Sequence, residues 1–172
     1  LHLSIRRQRQ MCIRDRYLSM NLNNRKNDKG QYYVNPIKQK WFQDLNFRKA
    51  VDFAIDRKNM VLNIANGIGE PLFTAESLNS IYLNKDLKPY DKNLEKAKKL
   101  LKASGFYLDK KGRLFDKTGN RVEFDLYTNA GNTEREAIGV MVKQDLEDLG
   151  MKVNFKPIEF NSLCLLYTSD AA

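Results

Sequence analysis

The feature that most constrains the fold of this chain is a strand, a turn, a helix and a second strand that follow one another between residues 122 and 155. In residues 122–128 apolar and polar side chains alternate, which is typical of a strand with one buried face. Helical spacing then predicts a helix over residues 133–149, and Gly150 separates it from a second alternating strand. Consecutive strands joined by a helix run parallel with a right-handed crossover. The sequence therefore predicts an α/β fold.

Helical spacing also predicts two consecutive helices near the middle of the chain. The first begins at Asp44, and Asp56 is expected to form the junction with the second, which ends before Gly67. We expect the helices and the crossover unit to bury one common core against the sheet. Its predicted members are Val51, Ile55, Leu100, Leu101, Leu126, Ile138, Val142, Leu146 and Val153.

Three further elements are predicted from local patterns. Residues 17–23 alternate and indicate a half-buried strand. Residues 94–104 have helical spacing, with Asp91 as the predicted N-cap and Gly105 at the end. Two turn signals flank residues 113–115, which favours a β-hairpin that leads into the longer strand.

The two ends of the chain correspond to one stretch of DNA read in opposite directions. Codons exist for residues 10–16 whose complementary strand, read one frame across, encodes residues 164–169. This relation resembles a translated sequencing adapter, and such segments are set aside in fold reasoning. We therefore expect residues 1–16 and 164–172 to be non-native tails that pack poorly, and residues 17–163 to be an internal piece of a longer natural protein.

The composition of residues 17–163 excludes several kinds of site. Cys12, Cys164 and His2 lie outside this range, and it contains no other cysteine or histidine. A disulfide framework, a Cys/His metal site and a nucleophile paired with histidine are therefore excluded within it. Removing five of the 30 basic and two of the 21 acidic residues leaves 25 and 19, so the net charge falls from +9 to +6. We expect neither a metal nor a cofactor.

The charged residues raise two other classes of function, a nucleic-acid-binding domain and a carboxylate-dependent hydrolase. A nucleic-acid-binding domain needs a clustered basic stripe, but the four lysines between residues 96 and 102 share a helix with an apolar stripe and are better explained as a solvated face. A carboxylate-dependent hydrolase needs paired acids, for which Asp44, Asp52 and Asp56 are the candidates. Helix capping and surface charge explain these acids better, so we expect no catalytic residue.

The strongest candidate for a ligand site is the turn that follows the first strand of the crossover unit. Thr128 and Asn129 end that strand, and ligands of open α/β sheets bind beyond the carboxyl ends of strands. The alternative role for Asn129 and Asn132 is to form the turn itself, and for each of them this is the better-supported explanation. Phe160 follows the second strand and is suited either to line an apolar pocket or to pack at the rim. We take Tyr127, Thr128, Asn129 and Phe160 as the candidate ligand-binding residues.

Five motifs follow one another along residues 17–163 in a recognisable order. They are YLSMN at 17–21, NFRKAVDFAIDRK at 46–58, NGIGEP at 66–71, PYDKNLEKAKKLL at 89–101 with SGF at 104–106, and TNAGN at 128–132 with LGMKV at 149–153 and EF at 159–160. Together they resemble the motifs of extracellular solute-binding proteins of family 5, the oligopeptide, dipeptide and nickel receptors of ABC importers. Phe160 stands where the family usually has tryptophan.

The resemblance implies a two-lobed, Venus-flytrap fold of the periplasmic-binding-protein type, in which a hinge closes the lobes on the ligand. Residues 17–163 resemble part of the C-terminal lobe, with a mixed sheet and flanking helices. The implied function is capture of oligopeptides or a related small solute and delivery to ABC permease subunits. An extracytoplasmic location, in the periplasm or on the cell surface through a lipid anchor outside this segment, follows from the same resemblance.

Overall fold

A computed structural model of the chain describes residues 16–74, 76, 78, 80–84, 86, 87 and 90–169. Helices and strands both contribute to it, which confirms the α/β class. The elements in chain order are α1 (Pro36–Gln43), α2 (Leu45–Ala54), α3 (Arg57–Ile64), α4 (Leu94–Ala103), β1 (Tyr107–Leu108), β2 (Leu114–Phe115), β3 (Glu123–Asn129), α5 (Thr133–Glu147), β4 (Lys152–Ile158) and α6 (Phe160–Ser169). Strands β1 and β2 pair antiparallel and β3 and β4 pair parallel, in two separate two-stranded sheets.

The crossover unit has the predicted topology. Strands β3 and β4 run in parallel register, from Glu123 opposite Lys152 to Asn129 opposite Ile158. Helix α5 connects them and ends at Glu147, two residues before the predicted end. The chain then turns at Gly150, whose φ of 82° lies in the left-handed region that favours glycine. The alternation and the helical spacing of this region were thus sufficient to predict its fold.

Helix α5 packs tightly against this sheet. Leu146 on the helix is 1% exposed, and Val153 and Val122 below it are 2% and 0% exposed. At Gly139 the helix lies so close to the sheet that a Cβ atom would stand 2.2 Å from a ring carbon of Phe155. The helix and the two strands therefore form a close-packed unit.

The two central helices begin at the predicted aspartates. The Asp44 side chain accepts a hydrogen bond from the Phe47 amide at 2.9 Å, and Asp56 accepts one from the Asn59 amide at 3.0 Å. Each carboxylate thereby satisfies one of the amide groups that a helix start leaves without an intrahelical partner. After α3 the chain reverses at Gly67, where φ is 74°. The predicted junction at Asp56 is confirmed.

The predicted strand over residues 17–23 is wrong. These residues form no strand in the described part of the chain, and Tyr17 is 84% exposed. Met20 alone packs against the core from this segment. Alternation indicates which side chains would share a face, but a strand also needs a neighbouring backbone to pair with, and none of the described strands lies beside it.

The predicted N-cap of α4 is also wrong. Asn93, not Asp91, accepts a hydrogen bond from the Lys96 amide at 2.8 Å. The Asn93 amide donates to the Phe53 carbonyl at 2.7 Å, which holds the start of α4 against the end of α2. Asp91 instead forms an exposed ion pair with Lys58. The predicted start of the helix at Leu94 is confirmed, and only the identity of the capping residue is wrong, because this backbone contact fixes Asn93 at the cap position.

The predicted hairpin is present and is anchored by a buried aspartate. Strands β1 and β2 form it, and Asp116 in the following turn is 7% exposed. The Asp116 carboxylate accepts hydrogen bonds from Trp41 Nε1 at 2.8 Å and from the backbone amides of Thr118 and Asn120 at 2.9 and 2.8 Å. Burial raises the pKa of Asp116, but these hydrogen bonds outweigh it and hold the pKa well below its ordinary value. The turn is thereby tied to α1.

The core lies between α2, α4, α5 and the β3–β4 sheet. Six of the nine predicted core residues are buried, and three are only partly buried at its margin, namely Leu100, Leu126 and Ile138. The largest fully buried side chains are Phe47, Leu146, Leu149, Val122 and Val153. Within the ranges that the structure describes, no helix is both long and apolar enough to cross a lipid bilayer.

The proposed tails lie partly outside the described residues. Residues 1–15 and 170–172 fall outside them, whereas Arg16 forms an ion pair with Glu134 at 3.3 Å. Helix α6 continues past residue 163, with Cys164 exposed and Leu165 66% exposed. The boundaries at residues 16 and 164 stay a prediction.

Candidate ligand-binding site

Three of the four candidate residues meet at one edge of the β3–β4 sheet. Thr128 and Asn129 are the last residues of β3, and Asn129 lies opposite Ile158, the last residue of β4. The Ala130 amide donates to the Ile158 carbonyl at 2.6 Å, which holds the two strand exits together. Phe160 begins α6 two residues further on and is 55% exposed. We call Thr128, Asn129 and Phe160 the carboxyl-end rim.

The turn between β3 and α5 is held by its own side chains. Asn132 caps α5 by accepting from the Arg135 amide at 2.9 Å, and the Gly131 amide donates to Glu136 Oε1 at 2.8 Å. Asn129 Oδ1 accepts from Arg135 Nη1 at 2.5 Å. Arg135 therefore fixes the Asn129 amide, with its oxygen toward the guanidinium and its Nδ2 group turned away from it.

Tyr127 lies on the other face of β3 from Thr128, because side chains alternate along a strand. Its hydroxyl and the Nζ atom of Lys156 both donate to Asp125, at 3.1 and 3.0 Å. Burial and then the hydrogen bond to Asp125 raise the pKa of Tyr127. Burial raises the pKa of Asp125, but hydrogen bonds from Lys156, Asn154 and Tyr127 outweigh it and lower that pKa. The Tyr127 ring remains 42% exposed next to the rim.

The acids considered for hydrolysis have structural contacts. Asp44 and Asp56 cap α2 and α3. Asp52 forms an ion pair with Arg57, whose Nη1 atom also donates to the Asp52 carbonyl at 3.0 Å. In the part of the chain that the structure describes, no group of three or more histidine, cysteine, aspartate or glutamate side chains could hold a metal ion. Every one of these three acids therefore has a helix-stabilising contact.

The lysines of α4 also have local contacts. The Lys96 ammonium lies 4.3 Å from the centre of the Phe53 ring, and Lys98 pairs with Glu95 at 3.4 Å. Ala97 and Leu101 of the same helix are buried. The lysines thus line the exposed side of a helix whose other side packs in the core, as the sequence pattern indicated.

Two surface clefts lie away from the carboxyl-end rim. One, of about 520 Å³, is bounded by the start of α3 and by parts of the segment between α3 and α4, including Phe73 and Tyr90. The other, of about 550 Å³, lies where α1 meets the amino end of β3, between Lys38 and Arg121. Neither of these two clefts is lined by the candidate residues, and Phe160 at the rim is exposed.

A sequence profile places the chain in a protein family. The profile of bacterial extracellular solute-binding proteins, family 5 Middle, matches residues 8–171. The chain belongs to this family. The α/β fold with an open strand-exit edge, described above, is thus that of a solute-binding protein, and the resemblance noted from the five motifs is confirmed.

Individual relatives agree with this assignment. The chain is 35% identical over 136 residues to a probable ABC transporter-binding protein of Deinococcus radiodurans, covering 76% of this chain and 22% of the relative. It is 33% identical over 128 residues to the oligopeptide-binding protein AppA of Bacillus subtilis, covering 73% of this chain and 24% of AppA. The chain thus spans about a quarter of the length of the curated relatives it matches.

Solved structures of relatives share the fold. AppA of Bacillus subtilis, in complex with a nonapeptide, superposes with a TM-score of 0.67 at 32% identity, covering 74% of this chain and 26% of AppA. NikA of Brucella suis, in complex with Fe(III)-EDTA, superposes with a TM-score of 0.66 at 26% identity, covering 71% of this chain and 24% of NikA. The two relatives thus share this fold while holding chemically different ligands.

Sequence reasoning did not identify Arg135 as part of the candidate site. Its role depends on the side chain reaching back from the first turn of α5 to the end of β3. Hydrophobic periodicity carries no information about where a long polar side chain points. The spacing of Asn129, Asn132 and Arg135 was the available signal, since all three lie within one strand exit and one helix start.

Proposed function

We propose that this chain is a segment of the substrate-binding component of an ABC importer, which captures oligopeptides or a related small solute and delivers them to the permease subunits. The observation that carries the proposal is family membership over residues 8–171, supported by the identity to AppA, an oligopeptide-binding protein. In this proposal residues 17–163 are part of the C-terminal lobe, and residues 1–16 and 164–172 are adapter-derived tails.

The proposed receptor works outside the cytoplasmic membrane. It is extracytoplasmic, in the periplasm or on the cell surface through a lipid anchor outside this segment, as expected for an extracellular family. It acts by binding alone, without catalysis, a cofactor or nucleic acid. Its partners are the transported solute and the permease.

We propose that the carboxyl-end rim and Tyr127 contact the ligand. Asn129 supports this role because Arg135 engages its Oδ1 atom, which leaves Nδ2 as a donor suited to a peptide carbonyl. Phe160 and Tyr127 offer aromatic surface, being 55% and 42% exposed, and such surface suits apolar peptide side chains. Thr128 adds a hydroxyl at the strand exit, where α/β sheets collect ligands.

The test uses the full-length receptor that contains this segment. Asn129→Ala and Phe160→Ala should each weaken peptide binding, measured by isothermal titration calorimetry, while the melting temperature stays nearly unchanged. Tyr82→Ala is the matched control, because Tyr82 is also exposed, at 80%, but lies between α3 and α4. Unaltered affinity in both rim variants would remove the rim from the binding site. The isolated 172-residue chain should bind the same peptide weakly, since half of the enclosing contacts are missing.

A further inference from the structure

The cleft at the amino end of β3 is lined by two cations that form no ion pair with the described residues. Lys38 and Arg121 line it, and both side chains are partly buried. Among the described residues, neither side chain forms an ion pair or a hydrogen bond, and the Arg121 Nε atom is buried without a partner. Buried polar groups are nearly always hydrogen-bonded, so an orphaned guanidinium nitrogen requires an explanation.

The acidic side chain that lines this cleft is already engaged. Glu123 lines the same cleft, but it accepts from Lys152 Nζ at 2.8 Å and from Asn154 Nδ2 at 3.0 Å. Those hydrogen bonds, with Arg121 contributing at longer range, lower the pKa of Glu123, so its charge is fixed. Asp116, which accepts hydrogen bonds from the cleft-lining Trp41 and Asn120, is engaged as well. Neither carboxylate forms an ion pair with Lys38 or Arg121.

The walls of the cleft are suited to a small organic anion. The partly buried Phe115 lines it together with the buried Trp41 and with Asn35 and Asn120. Its volume of about 550 Å³ lies in the usual range for small-molecule pockets. A guanidinium presents a planar fork of N–H donors that matches the two oxygens of a carboxylate. The cleft thus combines aromatic surface with a carboxylate-binding group.

We propose that this cleft is a second binding site, which takes a ligand carboxylate on Arg121 with Lys38 as the supporting cation. It lies at the opposite end of β3 from the carboxyl-end rim, about 20 Å away along six residues of strand. The site is therefore independent of the solute site proposed above, and neither proposal depends on the other. Two kinds of ligand could supply this carboxylate, namely a small dicarboxylate and a peptide with acidic side chains.

The 172-residue chain contains its own reporter for this site. Trp41, which lines the cleft, is the only tryptophan of the chain. Titration with succinate at constant ionic strength should produce a saturable change in tryptophan emission, and the uncharged analogue succinamide should not. A parallel titration with an N-acetylated, C-amidated Glu-Glu peptide distinguishes the sources, since the tighter of the two ligands identifies the class.

Variants of the two cations test the assignment. Arg121→Gln should weaken succinate binding roughly tenfold, the loss that corresponds to hydrogen bonds between charged groups, and Lys38→Gln should weaken it less. Lys40→Gln is the matched control, because Lys40 is exposed on the same helix and does not line the cleft. Circular dichroism checks the folding of each variant, and if Arg121→Gln does not fold, the Lys38→Gln result decides. The proposal is overturned by a wild-type chain without a saturable response, by cleft variants that bind normally, or by an equal loss in Lys40→Gln.

Discussion

The crossover unit and the region from the start of α3 to the start of α4 both contain large aliphatic side chains, but the first buries them and the second leaves several of them exposed. In the crossover unit, Val122, Leu146 and Val153 are at most 2% exposed. In the other region, Ile68 and Ile81 are 80% and 89% exposed, and α3 buries no residue at all. The helical spacing of apolar residues predicted α3, yet this helix buries none of its residues. Burial therefore depends on close packing against a neighbouring element and not on the number of apolar residues.

This difference also affects where a ligand site can be held precisely. The carboxyl-end rim stands on β3 and β4, whose exits are joined by a backbone hydrogen bond. A site on a packed sheet edge keeps its geometry better than one on an irregular segment. The exposed apolar residues between α3 and α4 lack such a frame. We therefore place the proposed solute contacts on the rim rather than in the cleft beside that segment.

The largest expected effect is the difference in unfolding free energy between Leu→Ala substitutions on one helix of each region. Leu146→Ala in α5 should lower the free energy of unfolding of the 172-residue chain by about 2–5 kcal/mol, because it empties a buried position. Leu62→Ala in α3 should change it by less than about 0.5 kcal/mol, because Leu62 is 64% exposed. The two substitutions are chemically identical, so helix propensity cancels. Urea denaturation followed by circular dichroism measures both, and similar losses would contradict the comparison.

A second expected effect concerns Asp116, whose hydrogen bonds hold an irregular turn in place. Asp116→Asn should cost about 1.5–3 kcal/mol of unfolding free energy, the range for hydrogen bonds to a charged group. The new amide must place an N–H group against donors such as Trp41 Nε1. Asp109→Asn is the control, since Asp109 accepts from the Lys111 and Arg113 amides in the same way but lies in the more exposed turn, and it should cost less.

The Asp116 effect should depend on pH with a defined sign. The folded-state pKa of Asp116 lies below its ordinary value, so its stabilising contribution is complete above the unfolded value of about 3.9. As pH falls below about 4 the unfolded state takes up the proton first, and the contribution is lost. The stability difference between wild type and Asp116→Asn should therefore shrink in acid. A difference that grows below pH 4 would contradict the assigned charge state.

How far the sequence could predict this fold depends on how local each contact is. The crossover unit and the caps at Asp44 and Asp56 were predictable because side-chain periodicity and capping act within a few residues. The segment at 17–23 was not, since strand formation depends on a partner distant in sequence. Burial of Leu126 was overestimated for a related reason, because it lies at the margin of a sheet that has only two strands.

The candidate site was likewise only partly predictable from the sequence. Thr128, Asn129 and Phe160 were placed on one edge by the parallel crossover alone, since parallel strands bring their exits together. The bond from Arg135 to Asn129 was not predicted, because a flexible side chain has many directions open to it. The sequence also did not predict that Lys38 and Arg121 line one cleft, since the two residues are far apart in sequence and belong to different elements.

The smallest expected effect tests the start of α4, where the irregular segment joins a regular helix. Asn93→Ala should cost about 0.5–2 kcal/mol of unfolding free energy, because the Lys96 amide loses its capping partner. Asp91→Ala should cost less, because Asp91 only pairs with Lys58 at an exposed position. Thermal or urea denaturation of both variants, at matched salt, compares them directly. A larger loss for Asp91→Ala would indicate that Asp91 is the N-cap. The helix would then begin two residues earlier, inside the segment between α3 and α4.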